Sequence, residues 1–112
     1  MVGSIYFIQM PYSDFREFKG RSVLVFSVID KNDVLILPLT TNLKREGVVI
    51  TSKDIEKGAL KKESVVIVPK ITAIDAGLIT SSRKIATLKN KSFERVLPEM
   101  CTRLECINTM KY

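Results

Sequence analysis

Apolar positions along this chain fall into short, nearly continuous runs, and only its last third shows a helical stripe. Ile5-Tyr6-Phe7-Ile8-Gln9-Met10, after Gly3-Ser4, reads as a first strand. The two strongest runs, Ser22 to Ile29 and Val34 to Leu39, flank Asp30-Lys31-Asn32-Asp33, a cluster of turn formers. Their continuity predicts burial on both faces, or a sheet curling on itself. Val48-Val49-Ile50 and Ser64 to Val68 read as further strands. The second of these ends at Pro69, which has no N–H for a ladder. Lys84 to Leu88 is a weaker strand pattern, Ser52 to Gly58 reads as one helical turn capped by Ser52, and Ile71 to Leu78 reads as a short connection. Pro11 to Gly20 and Thr41 to Gly47 read as loops.

After Asn90 the spacing changes. Phe93, Val96, Leu97, Met100, Leu104 and Ile107 recur at the 3.6-residue period of a buried helical stripe, with Asn90 or Ser92 as cap. Pro98 conflicts with a continuous helix, where it costs about 3 kcal/mol. It predicts a kink, or the first turn of a second helix after a break near Leu97. The expected fold is mainly β with a C-terminal helix, a small SH3-like barrel forming one domain over residues 1–112.

Composition narrows the chemistry. The chain has 18 Lys+Arg against 12 Asp+Glu, a net charge of +6 that favours a polyanionic partner, nucleic acid before a membrane surface. The stretch from Ile79 onward holds seven basic residues against three acidic ones. No apolar run approaches the ~18–20 residues of a membrane span, and the N-terminus lacks the basic region and cleavage site of a signal peptide, so a cytoplasmic location is expected. Cys101 and Cys106 lie five positions apart, which is neither a zinc spacing nor a redox pair. The chain has no histidine. That removes the usual general base and the Ser-His and Cys-His nucleophile pairs.

Two polar residues stand out against the strand pattern. Arg21 precedes the Val23-Leu24-Val25 strand, and Thr40 ends the Val34 run. A two-residue hairpin at Lys31-Asn32 would set Arg21 opposite Asn42 and place Thr40 diagonally beside it on the same face, roughly 7–8 Å away at the backbone. A one-residue slip would put Thr41 there instead. A guanidinium beside a hydroxyl at an open sheet end suits a phosphate. The competing reading of Arg21 is a surface ion pair with Asp14 or Glu17. The loop before it interleaves aromatics and cations (Tyr12, Phe15, Arg16, Phe18, Lys19) that could stack on unpaired bases and meet phosphates. Lys44, Arg45 and Lys70 are further candidates for phosphate contacts.

These residues, in this order, resemble the MazF/PemK-type toxins of type II toxin–antitoxin systems. The likeness rests on Gly3, Ile5-Tyr6-Phe7, Pro11, Arg21 with Val23-Leu24-Val25, Pro38-Leu39-Thr40-Thr41-Asn42, and Ser64 through Asp75, and it runs from about Gly3 to Leu104. It implies a PemK-like barrel, a homodimer, and a cognate antitoxin whose flexible segment covers the active surface. It also implies cleavage of single-stranded RNA without metal or other cofactor and without a membrane. Arg21 and Thr40 then stand at the catalytic positions. Phe15, Arg16, Phe18, Lys19, Thr41, Lys44 and Lys70 are the expected RNA contacts. The chain departs from the family at Ser4 (usually Asp), Ser22 (usually Pro) and Lys70 (often Gln). Two other functions fit part of the pattern: a toxin of the same general fold that binds a protein such as gyrase, and a basic nucleic-acid-binding module without catalysis.

Overall fold

The computed structural model describes residues 1–11 and 18–103. Among these residues are eight strands: β1 (Ser4–Pro11), β2 (Phe18–Val28), β3 (Asp33–Thr40), β4 (Val48–Ile50), β5 (Ile55–Gly58), β6 (Ser64–Val66), β7 (Thr72–Asp75) and β8 (Lys84–Leu88). Two helices follow, α1 (Asn90–Glu94) and α2 (Val96–Arg103). The strands pair antiparallel in the order β4-β6-β3-β2-β1-β8-β5, with β7 also on β3. The result is a curled half-barrel sheet with the helices packed on one side.

Both faces of the central strands are buried, which explains their unbroken apolar runs. Ile5, Leu24, Leu37, Leu39 and Val66 face the helices and meet Val96 and Met100. Tyr6, Ile8, Val23, Val25, Val34 and Ile36 face the other way and are covered by Ile79, with Ile74 and Ala76 at the margin. Each Ile or Leu wholly withdrawn from water contributes about 1.5–3 kcal/mol.

Several elements differ from the sequence expectation. Ser52 to Gly58 is not one helical turn: a 3-10 turn, Ser52–Asp54, leads straight into β5. The cap is Thr51, whose side chain accepts from the Lys53 N–H while Asp54 reaches back to the Thr51 N–H. Ile71 to Leu78 contains a true strand, β7, running along β3 from Asp33↔Asp75 to Ile36↔Thr72. Its alternation is faint because only Ile74 turns toward the core. β6 ends at Val66, two residues short of the expected Val68, and Pro69 falls inside the 3-10 turn over Val68–Lys70 that follows.

The helical segment breaks at Arg95, two residues before the expected point. Pro98 then falls in the first turn of α2, where N–H groups lack helical partners in any case. Val96 and Met100, four apart, form the buried stripe, while Leu97 is turned about 100° away and stays 58% exposed. Leu104, Ile107 and Cys106 lie outside the described residues. Neither Asn90 nor Ser92 caps α1, whose N-cap is Lys89 with no side-chain bond. The Ser92 hydroxyl instead donates to Asp54 Oδ1 at 2.7 Å, and Arg95 donates to the same oxygen at 2.9 Å. Asp54 therefore ties the helices to the β4–β5 connection. No described helix is long and apolar enough to cross a membrane.

Candidate functional site

The β2–β3 pair is a ladder only along part of its length. It begins at Val28↔Val34 and Ser27↔Leu35, skips Phe26 at a bulge, resumes at Val25↔Ile36 and ends at Val23↔Pro38. Beyond that rung the two strands no longer pair, and each keeps only its neighbour on the outer edge. β2 continues against β1 (Ser22↔Phe7, Arg21↔Ile8), and β3 against β6 (Leu39↔Val66, Thr40↔Val65). The sheet is split at this end.

The hairpin itself is wider than two residues. The Asp30 carboxylate accepts from the backbone N–H groups of Asn32 (2.7 Å) and Asp33 (2.9 Å), and the Ile29 N–H bonds the Asp33 carbonyl (3.0 Å). This side-chain turn and the Phe26 bulge together move the register by two. Carried two residues past Val23↔Pro38, it sets Arg21 across from Thr40, not from Asn42. An even shift leaves the alternation intact. Arg21 shares a face with Val23 and Ile8, Thr40 with Pro38 and Ile36, and Thr41 belongs to the opposite face. Nor does Arg21 mark the start of a strand, because β2 begins three residues earlier at Phe18.

Arg21 and Thr40 are both half-buried. The Thr40 oxygen accepts the Asn42 N–H at 3.1 Å, and the Asn42 side chain accepts the Lys44 N–H at 3.1 Å. These two local bonds shape the loop after β3 and orient the Thr40 hydroxyl with its proton left to donate. Lys44 and Arg45 are exposed on that loop, and Lys70 is exposed on the turn between β6 and β7. The same turn is held to β3 by the Ile67 N–H on the Pro38 carbonyl, 2.8 Å. Phe15 and Arg16 lie outside the described residues, as do Tyr12, Asp14 and Glu17. Phe18 and Lys19 belong to β2 by their backbone, in register with Pro11 and Met10.

A cavity of about 550 Å³ opens at the split, on the face opposite Arg21 and Thr40. Phe7, Leu60 and Ile85 supply apolar walls, and Ser22 and Thr41 bring hydroxyls from the two diverging strands. Lys61 and Lys62 border it from the β5–β6 loop, which is pinned by the Ser64 hydroxyl donating to the Lys62 carbonyl at 3.2 Å. Sequence reasoning passed over Phe7 and both lysines. The available signal was alternation along β1, which sends Phe7 to the face of Ile5 and Gln9, away from Tyr6 and Ile8.

The arrangement suits an extended polyanion. A half-buried arginine and an oriented hydroxyl share one face of the strand ends, exposed lysines flank them, and a deep apolar recess lies just behind. A comparison with curated proteins finds no match for this chain. The family model for the PemK-like, MazF-like toxin of type II toxin-antitoxin systems does match, over residues 1–102, and it agrees with the curled antiparallel sheet and C-terminal helix seen here. The chain belongs to the PemK-like, MazF-like toxins of type II toxin–antitoxin systems.

Proposed function

We propose that this toxin is an endoribonuclease that cleaves single-stranded RNA by internal transesterification, acting in the cytoplasm as a homodimer of single-domain chains and neutralised by its cognate antitoxin. One observation supports the reading: extending the β2–β3 register two residues past its last rung, Val23↔Pro38, reaches Arg21 and Thr40, and alternation gives both the same face of the two strand ends. The bonding changes are few. The 2′ oxygen attacks the neighbouring phosphorus and gives up its proton. The P–O5′ bond breaks, and the 5′ oxygen takes up a proton. The products are a 2′,3′-cyclic phosphate and a 5′-hydroxyl.

Arg21 has the chemistry to stabilise the phosphorane. Its planar fork pairs two phosphate oxygens at once. Thr40 donates to a non-bridging oxygen, its rotamer restricted by β-branching and by the Asn42 N–H that its oxygen accepts. One well-placed electrostatic donor of this kind is worth on the order of 10²–10³ in rate. Lys44 and Lys70, with Thr41, Phe15, Arg16, Phe18 and Lys19, are assigned to holding the strand on either side.

The test is incubation of the purified protein with a long single-stranded RNA in EDTA, followed by mapping of the ends. Discrete cuts bearing cyclic phosphates, lost in Arg21→Ala, are expected. Intact RNA merely retarded on a gel, or cutting that survives Arg21→Ala, refutes the assignment.

A further inference from the structure

The cavity at the split is built differently from the face that carries Arg21 and Thr40. Its exposed aromatic is Phe7, a β1 residue left 45% accessible between buried Tyr6 and Ile8. A strand aromatic this exposed is normally free to change rotamer, but Phe7 is held by Gly20 on β2. The two stand diagonally across the β1–β2 ladder, since Phe7 pairs with Ser22 and Gln9 with Gly20. The ring lies over the glycine so closely that a Cβ there would overlap it. One side of the ring thus rests on bare backbone while the cavity opens beside it.

We propose that this cavity is a base-recognition pocket, with Phe7 as the stacking surface for one unpaired nucleobase of the RNA. The idea rests on the RNA-cleaving reading above and names the part of the substrate that is read. Three observations favour a nucleotide over other occupants. A ring pinned by a glycine offers a flat, pre-oriented platform, as stacking on single strands requires. The Ser22 and Thr41 hydroxyls supply groups that can donate to or accept from a base edge. Lys61 and Lys62 add two positive charges for the backbone, and among the described residues no carboxylate lines the cavity.

Continuity with the cleavage face supplies the position. Ser22 follows Arg21 and Thr41 follows Thr40, each one Cα step of about 3.8 Å away. Successive side chains alternate to opposite faces, so the pocket and the Arg21–Thr40 face share the same two strand ends and lie on opposite sides of them. The arrangement links sequence preference to cleavage through the two strand ends.

The experiment measures binding and cutting separately. Uncleavable 2′-O-methyl oligonucleotides, varied at single positions, are titrated against wild type, Phe7→Leu and Phe7→Tyr by fluorescence anisotropy, and the same proteins are mapped on natural RNA. Phe7→Leu is expected to weaken binding roughly 5- to 150-fold, the range for losing one stacked base, and to flatten the preference at one position. Phe7→Tyr keeps the ring and should restore both. Lys61→Ala should instead weaken all oligonucleotides alike and lower the slope of log affinity against log salt by about 0.7. Unchanged affinity and unchanged cut sites in a folded Phe7→Leu protein overturn the pocket while leaving cleavage intact. Phe7-dependent binding without any cutting leaves the pocket standing and removes the nuclease reading. If Phe7→Leu impairs only capture of the antitoxin, the occupant is a peptide and the proposal is wrong.

Discussion

Replacing Asp54 with alanine should destabilise the protein more than any other single change outside the hydrophobic core. The carboxylate accepts from the Thr51 N–H at 2.8 Å, from the Ser92 hydroxyl at 2.7 Å and from Arg95 at 2.9 Å. Thr51 and Ser92 lie on segments 41 residues apart, so the residue holds the first helix against the sheet. A bond to a charged group contributes about 1.5–3 kcal/mol when shielded. The Asp54 side chain is 17% exposed and is largely shielded, but that of Arg95 is 51% exposed, so its share is below about 1 kcal/mol. The cost of burying the carboxylate offsets part of these bonds, so the loss expected for Asp54→Ala is about 2–4 kcal/mol, a fall in Tm on the order of 10 °C for a chain of this size. Arg95→Ala should cost under about 1 kcal/mol. The dependence on pH follows from the environment. Burial by itself would raise the Asp54 pKa, but the Thr51 N–H, the Ser92 hydroxyl and the Arg95 charge outweigh it and hold the pKa below the ordinary carboxylate value. A lowered folded pKa adds stability that is present above the unfolded value of about 3.9 and is lost as pH falls through the folded one. The gap between wild type and Asp54→Ala should therefore stay constant from pH 7 to about 5 and narrow below about pH 4. Thermal unfolding by circular dichroism across that range decides it. A loss under about 1 kcal/mol, an equal loss in Arg95→Ala, or a gap that widens in acid would refute the reasoning.

Three further outcomes are expected. Arg21→Lys should lose at least about a hundredfold in cleavage rate, because a point charge cannot make a two-pronged phosphate contact, and near-normal rates in a cleavage assay would remove Arg21 from its assigned role. Thr40→Ala should slow cleavage far more than it lowers Tm, since among the described residues the hydroxyl's bond is the exposed one from the Asn42 N–H, worth about 0.5–1.5 kcal/mol; parallel losses would mark it as structural. Gly58→Ala should destabilise by at least about 1 kcal/mol in urea unfolding, because Gly58 sits at φ 80° and a Cβ would run into the Ile85 carbonyl across the β5–β8 pair.

Much of the architecture was readable from local pattern. Continuous apolar runs such as Val23-Leu24-Val25 and Val34 to Leu37 announced two-sided burial, and both faces of those strands are indeed packed. Pro69 announced the end of a strand to within two residues, and Pro98 announced a divided helix. Each of these signals is a property of the residue itself: no N–H to donate, a fixed φ, a side chain that water rejects. The strands β5 and β7 were not readable. Their residues are mostly exposed, and what makes them strands is the partner alongside, β8 for one and β3 for the other.

The same division runs through the candidate site. Residue chemistry and the order of motifs were enough to single out Arg21 and Thr40 and to suggest the toxin family to which the chain belongs. Which residues face each other was another matter, because register depends on long-range events: a carboxylate at Asp30 widening a turn, and a bulge at Phe26 absorbing one residue. The cavity depended on still more distant contacts. It exists because β2 and β3 stop pairing after Val23↔Pro38 while each keeps its outer neighbour, β1 or β6, and because a glycine with no side chain of its own lets the Phe7 ring lie down on the neighbouring strand. Composition and alternation are local quantities, whereas a recess at the mouth of a split sheet is made by segments that meet only after the chain has folded.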